Sequence, residues 1–307
     1  MTSGKTKTPR HIIFFGTEEF SAASLQALIT AGFTIAAVVT KPDSKKGRGH
    51  KLMPSTVKTI AEEHGIPVWQ PTKLRDITED IKRLQPVTGV LVSFGKIIPQ
   101  STIDLFTPGI VNVHPSPLPK YRGPSPIESA ILHGDEETGV SIMQLTAAMD
   151  AGPVYSFIPH RLTGTETQPE LYETLSKVGA EELVSVLPKI IAGELLPTPQ
   201  DESIATYCQL IQKRDGTIDW TKPAARIERE VRAYKGWPGS RTMLGDVDVI
   251  ITGAHVVECA GLSNGSAPDH LSIPCGDRRC LAIESIKPVG KKEMPIQAFL
   301  AGYKDRL

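Results

Sequence analysis

The chain has 307 residues, with 34 Lys and Arg against 34 Asp and Glu, eight His and four Cys. At roughly 150 residues per domain, that length predicts about two domains. An apolar share of 40% excludes a disordered chain, and no apolar run approaches the roughly 18 residues of a membrane span. A formal net charge of zero excludes a surface that attracts polyanions indiscriminately. The basic, polar stretch from Met1 to Arg10 has no apolar segment leading to a small-residue cleavage site, so a secretory signal is not expected. Cys208, Cys259, Cys275 and Cys280 form no C-x-x-C pair, which argues against a zinc site or a disulfide framework and for reduced, cytoplasmic thiols.

Along the chain, short apolar runs alternate with helical patterns for the first two-thirds. His11 to Phe15 reads as a buried strand, Gly16-Thr17 as the turn out of it, and Glu18 onward as a helix with Phe20, Leu25, Leu28 and Ile29 on one face. Ile35 to Val39 is a second strand, Pro54 to His64 a helix, Pro67 to Trp69 a short strand, and Ile77 to Leu84 a helix. Gly89 to Ser93, Ile110 to His114 and Val140 to Gln144 are further strands, with helices at Pro126 to His133 and within Pro169 to Ile191. Nearly continuous apolar strands separated by helices predict an α/β, doubly wound, mostly parallel sheet covered on both faces. The two prolines of Leu195 to Glu202 mark a linker. Beyond it, Asp219 to Tyr234 contains a helix with Ala224, Ile227, Val231 and Tyr234 on one arc. The rest, including Val247 to Thr252, Leu271 to Ile273 and Leu281 to Ile283, is broken into short runs that suit a small β-barrel. The expected boundaries are residues 1–195, a linker over 196–209, and residues 210–307.

The densest polar cluster begins at Asn112-Val113-His114 and runs into a loop with five prolines in the twelve residues from Pro115 to Pro126. Residues two apart on a strand point the same way, so Asn112 and His114 should lie side by side. They fall at the carboxyl end of a buried strand, where open α/β sheets bind ligands. Repeated fixed φ angles stiffen the loop and lower the entropy cost of holding a binding geometry. Asp150 follows the next strand and can reach the same edge; a lone Asp before Gly is otherwise a turn residue. These residues taken singly also fit an ordinary strand end with a capping Asn and a satisfied His. As a trio without a nearby Ser or Cys nucleophile, they suit direct acyl transfer, with the amide donating to a developing oxyanion and the imidazole and carboxylate handling a proton. A metal site is not supported by any H-x-x-x-H or clustered ligand set.

From Lys41 to Met53 the chain carries Lys41, Lys45, Lys46, Arg48 and Lys51 against Asp43, a local net of 5 − 1 = +4. Its glycines flank Arg48, giving either a solvated loop or a basic finger for phosphate. A nicotinamide dehydrogenase is disfavoured, because Gly16-Thr17-Glu18-Glu19-Phe20 after the first strand lacks G-x-G-x-x-G.

Several stretches together resemble the methionyl-tRNA formyltransferase family: Phe15-Gly16-Thr17 with Phe20, Gly47-Arg48-Gly49 through Leu52-Met53-Pro54, and Asn112-Val113-His114 through Leu118-Pro119 and Arg122-Gly123. So do Gly134-Asp135 with Glu137 to Met143, Asp150-Ala151-Gly152, and Ile218-Asp219-Trp220 with Arg232-Ala233 and Trp237-Pro238. The resemblance runs from about residue 11 to 303. It implies a Rossmann-like catalytic domain, a linker and an OB-fold-like C-terminal barrel. It also implies transfer of formyl from 10-formyltetrahydrofolate to methionyl initiator tRNA, with no metal, by a monomer. By motif matching, Asn112, His114 and Asp150 take the catalytic positions; Phe94, Gly95, Ser116, Leu118 and Pro119 fall in the folate-pocket segments. Arg48, with Lys45, Lys46 and Lys51, falls in the tRNA-contacting loop. This chain departs from the family at Pro115, Pro117 and Pro124-Ser125, beside the expected pocket. Folate-dependent formyltransferases acting on a sugar amine or a glycinamide ribonucleotide would share the trio but have no evident need of the basic loop. The residues also admit a formate-releasing hydrolase, or an inactive nucleic-acid-binding module that uses the barrel and the basic finger. Residues 210–307 hold 15 basic and 12 acidic side chains, so local positive excess survives the neutral total.

Overall fold

The computed structural model describes residues 11–46, 51–259 and 271–306. They fall into two compact units: one from Met1–Gly123, Thr138–His160 and Tyr172–Tyr207, the other from Pro124–Glu137, Arg161–Leu171 and Cys208–Leu307.

The first unit is built on a seven-stranded sheet. In chain order the elements begin β1 (His11–Gly16), α1 (Glu19–Thr30), β2 (Ile35–Val39), the hairpin β3 (Ser44–Lys46) and β4 (Lys51–Met53), α2 (Thr56–Glu63) and β5 (Val68–Trp69). There follow α3 (Thr78–Arg83), β6 (Val87–Val92), α4 (Gln100–Ile103), β7 (Ile110–His114), α5 (Pro126–His133, a helix of the second unit), β8 (Glu137–Gln144), β9 (Val154–Arg161) and α6 (Gln168–Ala192). The sheet order is β5-β2-β1-β6-β7-β8-β9. β5, β2, β1, β6 and β7 run parallel, and β8 pairs antiparallel with β7. This is the Rossmann-like, mostly parallel sheet that the alternating pattern predicts.

Its strands are apolar throughout because both faces are covered: Ile12 to Phe15 are fully buried. One core cluster gathers Ile13, Phe15, Val39, Ile81, Phe94, Phe106 and Ile110. α2 starts where Ser55 Oγ accepts from Lys58 N at 3.3 Å, an N-cap that satisfies one orphan helix donor. α6 is a single helix of 25 residues. β9 escapes the sequence reading because its burial alternates, as expected of an edge strand, and Pro159 interrupts its apolar signal.

The second unit carries, beyond α5, the elements α7 (Ala224–Ala233), β10 (Ser240–Leu244), β11 (Val247–Glu258), β12 (Leu271–Pro274), β13 (Arg279–Pro288), β14 (Met294–Pro295) and α8 (Ile296–Tyr303). The order β10-β11-β13-β12, with β14 on β13, forms an antiparallel half-barrel. Ile227 and Val231 of α7 and Ile296 and Phe299 of α8 pack with Val249, Ile251, Leu281, Ile283 and Ile286 of the strands. Arg226 Nη1 donates to Leu132 O at 2.7 Å, placing a cation on the carboxyl end of α5. α8 is a helix where the sequence reading has only short strands.

The cysteine expectation needs correction. Cys259 and Cys280 form a disulfide, with their Cα atoms 5.1 Å apart. Spacing alone could not reveal it. Val257 lies opposite Cys280 in the β11–β13 ladder, so Cys259, two residues further, becomes its diagonal neighbour on the same face. Cys208 and Cys275 are in no disulfide, and Cys208 Sγ accepts from Ser125 N at 3.2 Å.

Candidate active site

β7 lies between β6 and β8, with Asn112 in register with Leu91 on one side and Met143 on the other. His114, two residues on, lies opposite Ser141. Both polar side chains are therefore held in the sheet at the end of the strand, 4% and 5% exposed. His114 Nε2 is 3.0 Å from Tyr121 O. A carbonyl only accepts, so Nε2 carries the hydrogen and Nδ1 is the edge left for proton exchange. Nδ1 faces Asp150 Oδ2 at 3.8 Å.

The carboxylate is itself anchored. Gly123 N donates to Asp150 Oδ2 at 2.8 Å. Asp150 adopts φ = 46°, in the left-handed region that few residues other than glycine enter and that Asp and Asn enter most readily, in turns. Two residues later, Gly152 lies so close to β8 that an added Cβ would stand 1.8 Å from Gln144 O. Because β8 is antiparallel to β7 and Gln144 lies opposite Val111, the Asp150-Ala151-Gly152 turn returns along β7, and this return, not a shared strand direction, sets the carboxylate against His114. The Asn112 side chain makes no hydrogen bond to another described residue, which leaves its amide available to an incoming oxygen.

Ser141 fixes the proline-rich loop from the neighbouring strand. Its Oγ donates to Ser116 O at 2.7 Å and accepts from Leu118 N at 3.2 Å. Ser116 is fully buried and donates its own hydroxyl to Lys120 O at 2.7 Å. Leu118 and Pro119 line a cleft of about 320 Å³ with Tyr155, Phe157 and Gln200. Its walls mix apolar and aromatic side chains with the polar Ser156, Thr198, Gln200 and Asp201, and it is open to solvent. Phe94 is placed differently: its ring meets Phe15 edge-on at 5.6 Å inside the core, so this segment presents backbone around Gly95, at φ = 66°. Of the basic loop, Lys45 and Lys46 fall on β3 and Lys51 on β4, whereas Arg48 lies outside the described residues. Among the described residues, no group of His, Cys, Asp and Glu could hold a metal ion, and no helix is long and apolar enough to cross a membrane.

A formyl transferase family model matches residues 10–187, and a model of the formyl transferase C-terminal domain matches residues 210–304. The chain belongs to the formyl transferase family. It is 38% identical over 304 residues to a methionyl-tRNA formyltransferase of Citrifermentans bemidjiense, covering 97% of this chain and 95% of the relative. It is 39% identical over 301 residues to that of Myxococcus xanthus, covering 95% of each. Among solved structures, an N-formyltransferase from Helicobacter canadensis in complex with folinic acid and dTDP-3-aminofucose matches with TM-score 0.67 at 17% identity, over 90% of this chain and 99% of that one. HypX from Aquifex aeolicus in complex with tetrahydrofolic acid matches with TM-score 0.62 at 17% identity, over 96% of this chain and 47% of that one. At such identity these two speak for the shared fold.

Gln200 and Glu202 escape the sequence reading, and Arg122, quoted there with Gly123 for the resemblance, is given no role in it. Arg122 is fully buried, and its guanidinium donates to Gln200 Oε1, to both oxygens of Glu202 and to the Tyr207 hydroxyl at 2.7–3.0 Å. The Glu202 carboxylate makes Arg122 harder to deprotonate, against the opposing effect of burial. The expected linker is therefore tied down: Thr206 O accepts from Arg122 N at 2.9 Å, and Val154 and Thr198 exchange two backbone hydrogen bonds at 2.8 Å. A polar, proline-bounded composition reads as solvated chain; only an unusual Arg beside Gly123 hints that these polar groups have a buried partner.

Proposed function

We propose that the protein transfers the formyl group of 10-formyltetrahydrofolate to the free α-amine of methionyl initiator tRNA, yielding N-formylmethionyl-tRNA and tetrahydrofolate. The observation that carries this reading is the alignment of Asn112 and His114 at the end of β7, with Asp150 facing the imidazole at 3.8 Å. An α-amine has a pKa of roughly 7.7–8.0, lower in an aminoacyl ester, so neutral nucleophile is abundant at neutral pH. The site then has to position the reactants, stabilise an oxyanion and accept a proton.

In this scheme the amine nitrogen attacks the formyl carbon, and the carbonyl electrons move onto oxygen. The Asn112 amide donates to that oxygen. The attacking nitrogen loses its proton to the Nδ1 edge of His114, backed by the Asp150 carboxylate. Collapse of the tetrahedral species breaks the bond to N10 of the folate, and that nitrogen takes up a proton. No covalent enzyme intermediate is needed.

The segments containing Phe94, Gly95, Ser116, Leu118 and Pro119 supply the folate-binding surface, with Phe94 and Ser116 supporting it from within. Lys45, Lys46, Arg48 and Lys51 meet tRNA phosphates, together with the half-barrel domain, whose net charge of +3 comes from 15 basic and 12 acidic residues over 210–307. We read the protein as a monomer working in the cytoplasm on tRNA. The relatives' near-complete overlap and shared C-terminal domain favour a tRNA acceptor over a sugar amine.

The test is formyl transfer to initiator methionyl-tRNA, elongator methionyl-tRNA and an aminosugar nucleotide in parallel. Preference for the initiator species is expected; turnover confined to the aminosugar overturns the acceptor. Arg48→Ala should weaken tRNA use while leaving folate binding intact, and equal loss of both contradicts the role assigned to the loop.

A further inference from the structure

The side chain of Gln200 joins two parts of the site. Its Oε1 accepts from Arg122 Nε at 3.0 Å and from Nη2 at 2.8 Å. Its Nε2 donates to Asp150 O at 2.8 Å and to Gly152 O at 2.7 Å. The guanidinium can only donate and the two carbonyls can only accept, so the orientation of the amide is dictated by its partners. A primary amide offers two N–H groups and two lone pairs, and all four are used.

These bonds close a ring. Arg122 holds Gln200, Gln200 holds the backbone of Asp150, and the Asp150 carboxylate accepts from Gly123 N at 2.8 Å, next to Arg122 in the chain. On the other side of Arg122, Tyr121 O receives His114 Nε2 at 3.0 Å. The ring therefore references the imidazole and the carboxylate to the same three residues, 121 to 123. It also acts on the turn itself: Asp150 sits at φ = 46°, in the left-handed region, and the carbonyls of Asp150 and Gly152 are the two that Gln200 holds.

We propose that Gln200 is a positioning residue for formyl transfer, its amide holding the Asp150 turn so that the carboxylate stays set against His114. This rests on the assignment of Asp150 to the reaction given above. Gln200 touches no reacting atom in this scheme; it acts through Asp150. Its place in a segment that composition marks as a linker makes that segment part of the catalytic support.

The test compares Gln200→Ala with Gln200→Glu. The Glu variant keeps an oxygen facing the Arg122 guanidinium, so the arm that secures the segment survives. Its other oxygen meets the carbonyl oxygens of Asp150 and Gly152, so the arm that holds the turn is lost. Both variants should lower kcat by about 10–100-fold, with KM for folate and tRNA within about threefold, as expected of misplacement without lost binding. Gln200→Glu should keep a melting temperature near that of the wild type. The Gly123 amide should exchange with solvent at least about tenfold faster in both, because the carboxylate that protects it is no longer fixed.

Wild-type kcat in both variants overturns the proposal, as does a rise in KM at unchanged kcat. Should the wild-type protein fail to formylate methionyl-tRNA, the acceptor assignment falls while the Gly123 exchange still decides whether Gln200 holds the carboxylate. Faster exchange supports that role, and unchanged exchange removes it.

Discussion

Gly152→Ala ties the packing of the site to its chemistry. An ideal Cβ at this position would stand 1.8 Å from Gln144 O and 3.1 Å from Met143 Cε, where real Cβ atoms keep at least 3.0 Å from such neighbours. The obstacle at 1.8 Å is strand backbone rather than a flexible side chain, so the turn itself has to retreat by more than an ångström. Gln144 N, which donates to Pro153 O at 2.9 Å, loses or stretches that bond. Overpacking of this kind costs about 1–3 kcal/mol, and the lost hydrogen bond adds about 1 kcal/mol. With roughly 2–4 °C per kcal/mol in a protein of this size class, the melting temperature should fall by about 4–16 °C. Asp150 moves with the turn, and a displacement of about 1 Å in a catalytic geometry can cost about 10²-fold in rate. The assay is kcat at a temperature where the variant is folded, alongside the melting curve. Gly302→Ala is the control, since nothing lies within 4 Å of its Cβ and it sits in the exposed part of α8; it should gain up to about 1 kcal/mol of stability. A Gly152→Ala protein with wild-type kcat and melting temperature would refute this reasoning.

Asn112→Ala and His114→Ala should each reduce turnover by about 10²–10³-fold with little change in KM, checked by steady-state kinetics in both substrates; unchanged turnover in both contradicts the assigned roles. Burial opposes ionisation of Glu166, but hydrogen bonds from Thr163 N, Thr163 Oγ1 and Gly164 N bring its pKa down to about 2. A lowered folded-state value means stability present above the unfolded pKa and lost as pH falls towards about 2. Glu166→Gln should therefore lower the melting temperature at pH 7, and the difference from wild type should shrink below about pH 4.3; a constant offset across that range would count against the mechanism. Alkylation of the denatured, unreduced protein should label Cys208 and Cys275 and spare Cys259 and Cys280, as read by peptide mass spectrometry; labelling of all four removes the disulfide.

The parallel core was legible in the sequence because its strands are buried on both faces and separated by helical patterns. Ile110–His114 and Pro126–His133 emerge with the bounds that the sequence predicts. The meeting of His114 and Asp150 was not legible from strand order, because β8 runs antiparallel to β7 and ends opposite Val111, so the chain after it has to return along β7 to set Asp150 against His114. Nor was what fixes them. Arg122 belongs to a stretch that carries the resemblance, but Gln200 and Glu202 carry no local pattern; their link to Arg122 comes from a return of the chain 78 to 80 residues later. The Cys259–Cys280 pair is hidden for the same reason, because it depends on the register of β11 against β13. β9 and α8 are edge or terminal elements, whose weak periodicity is overridden by tertiary contacts.

The most direct measurement is a single-turnover reaction of the protein with 10-formyltetrahydrofolate, labelled with carbon-14 in the formyl group, and initiator methionyl-tRNA. Direct transfer predicts that label leaves the folate and reaches the methionine α-amine at the same rate, with none retained on the protein. Label released as formate, or trapped covalently on the enzyme before reaching the tRNA, would contradict it.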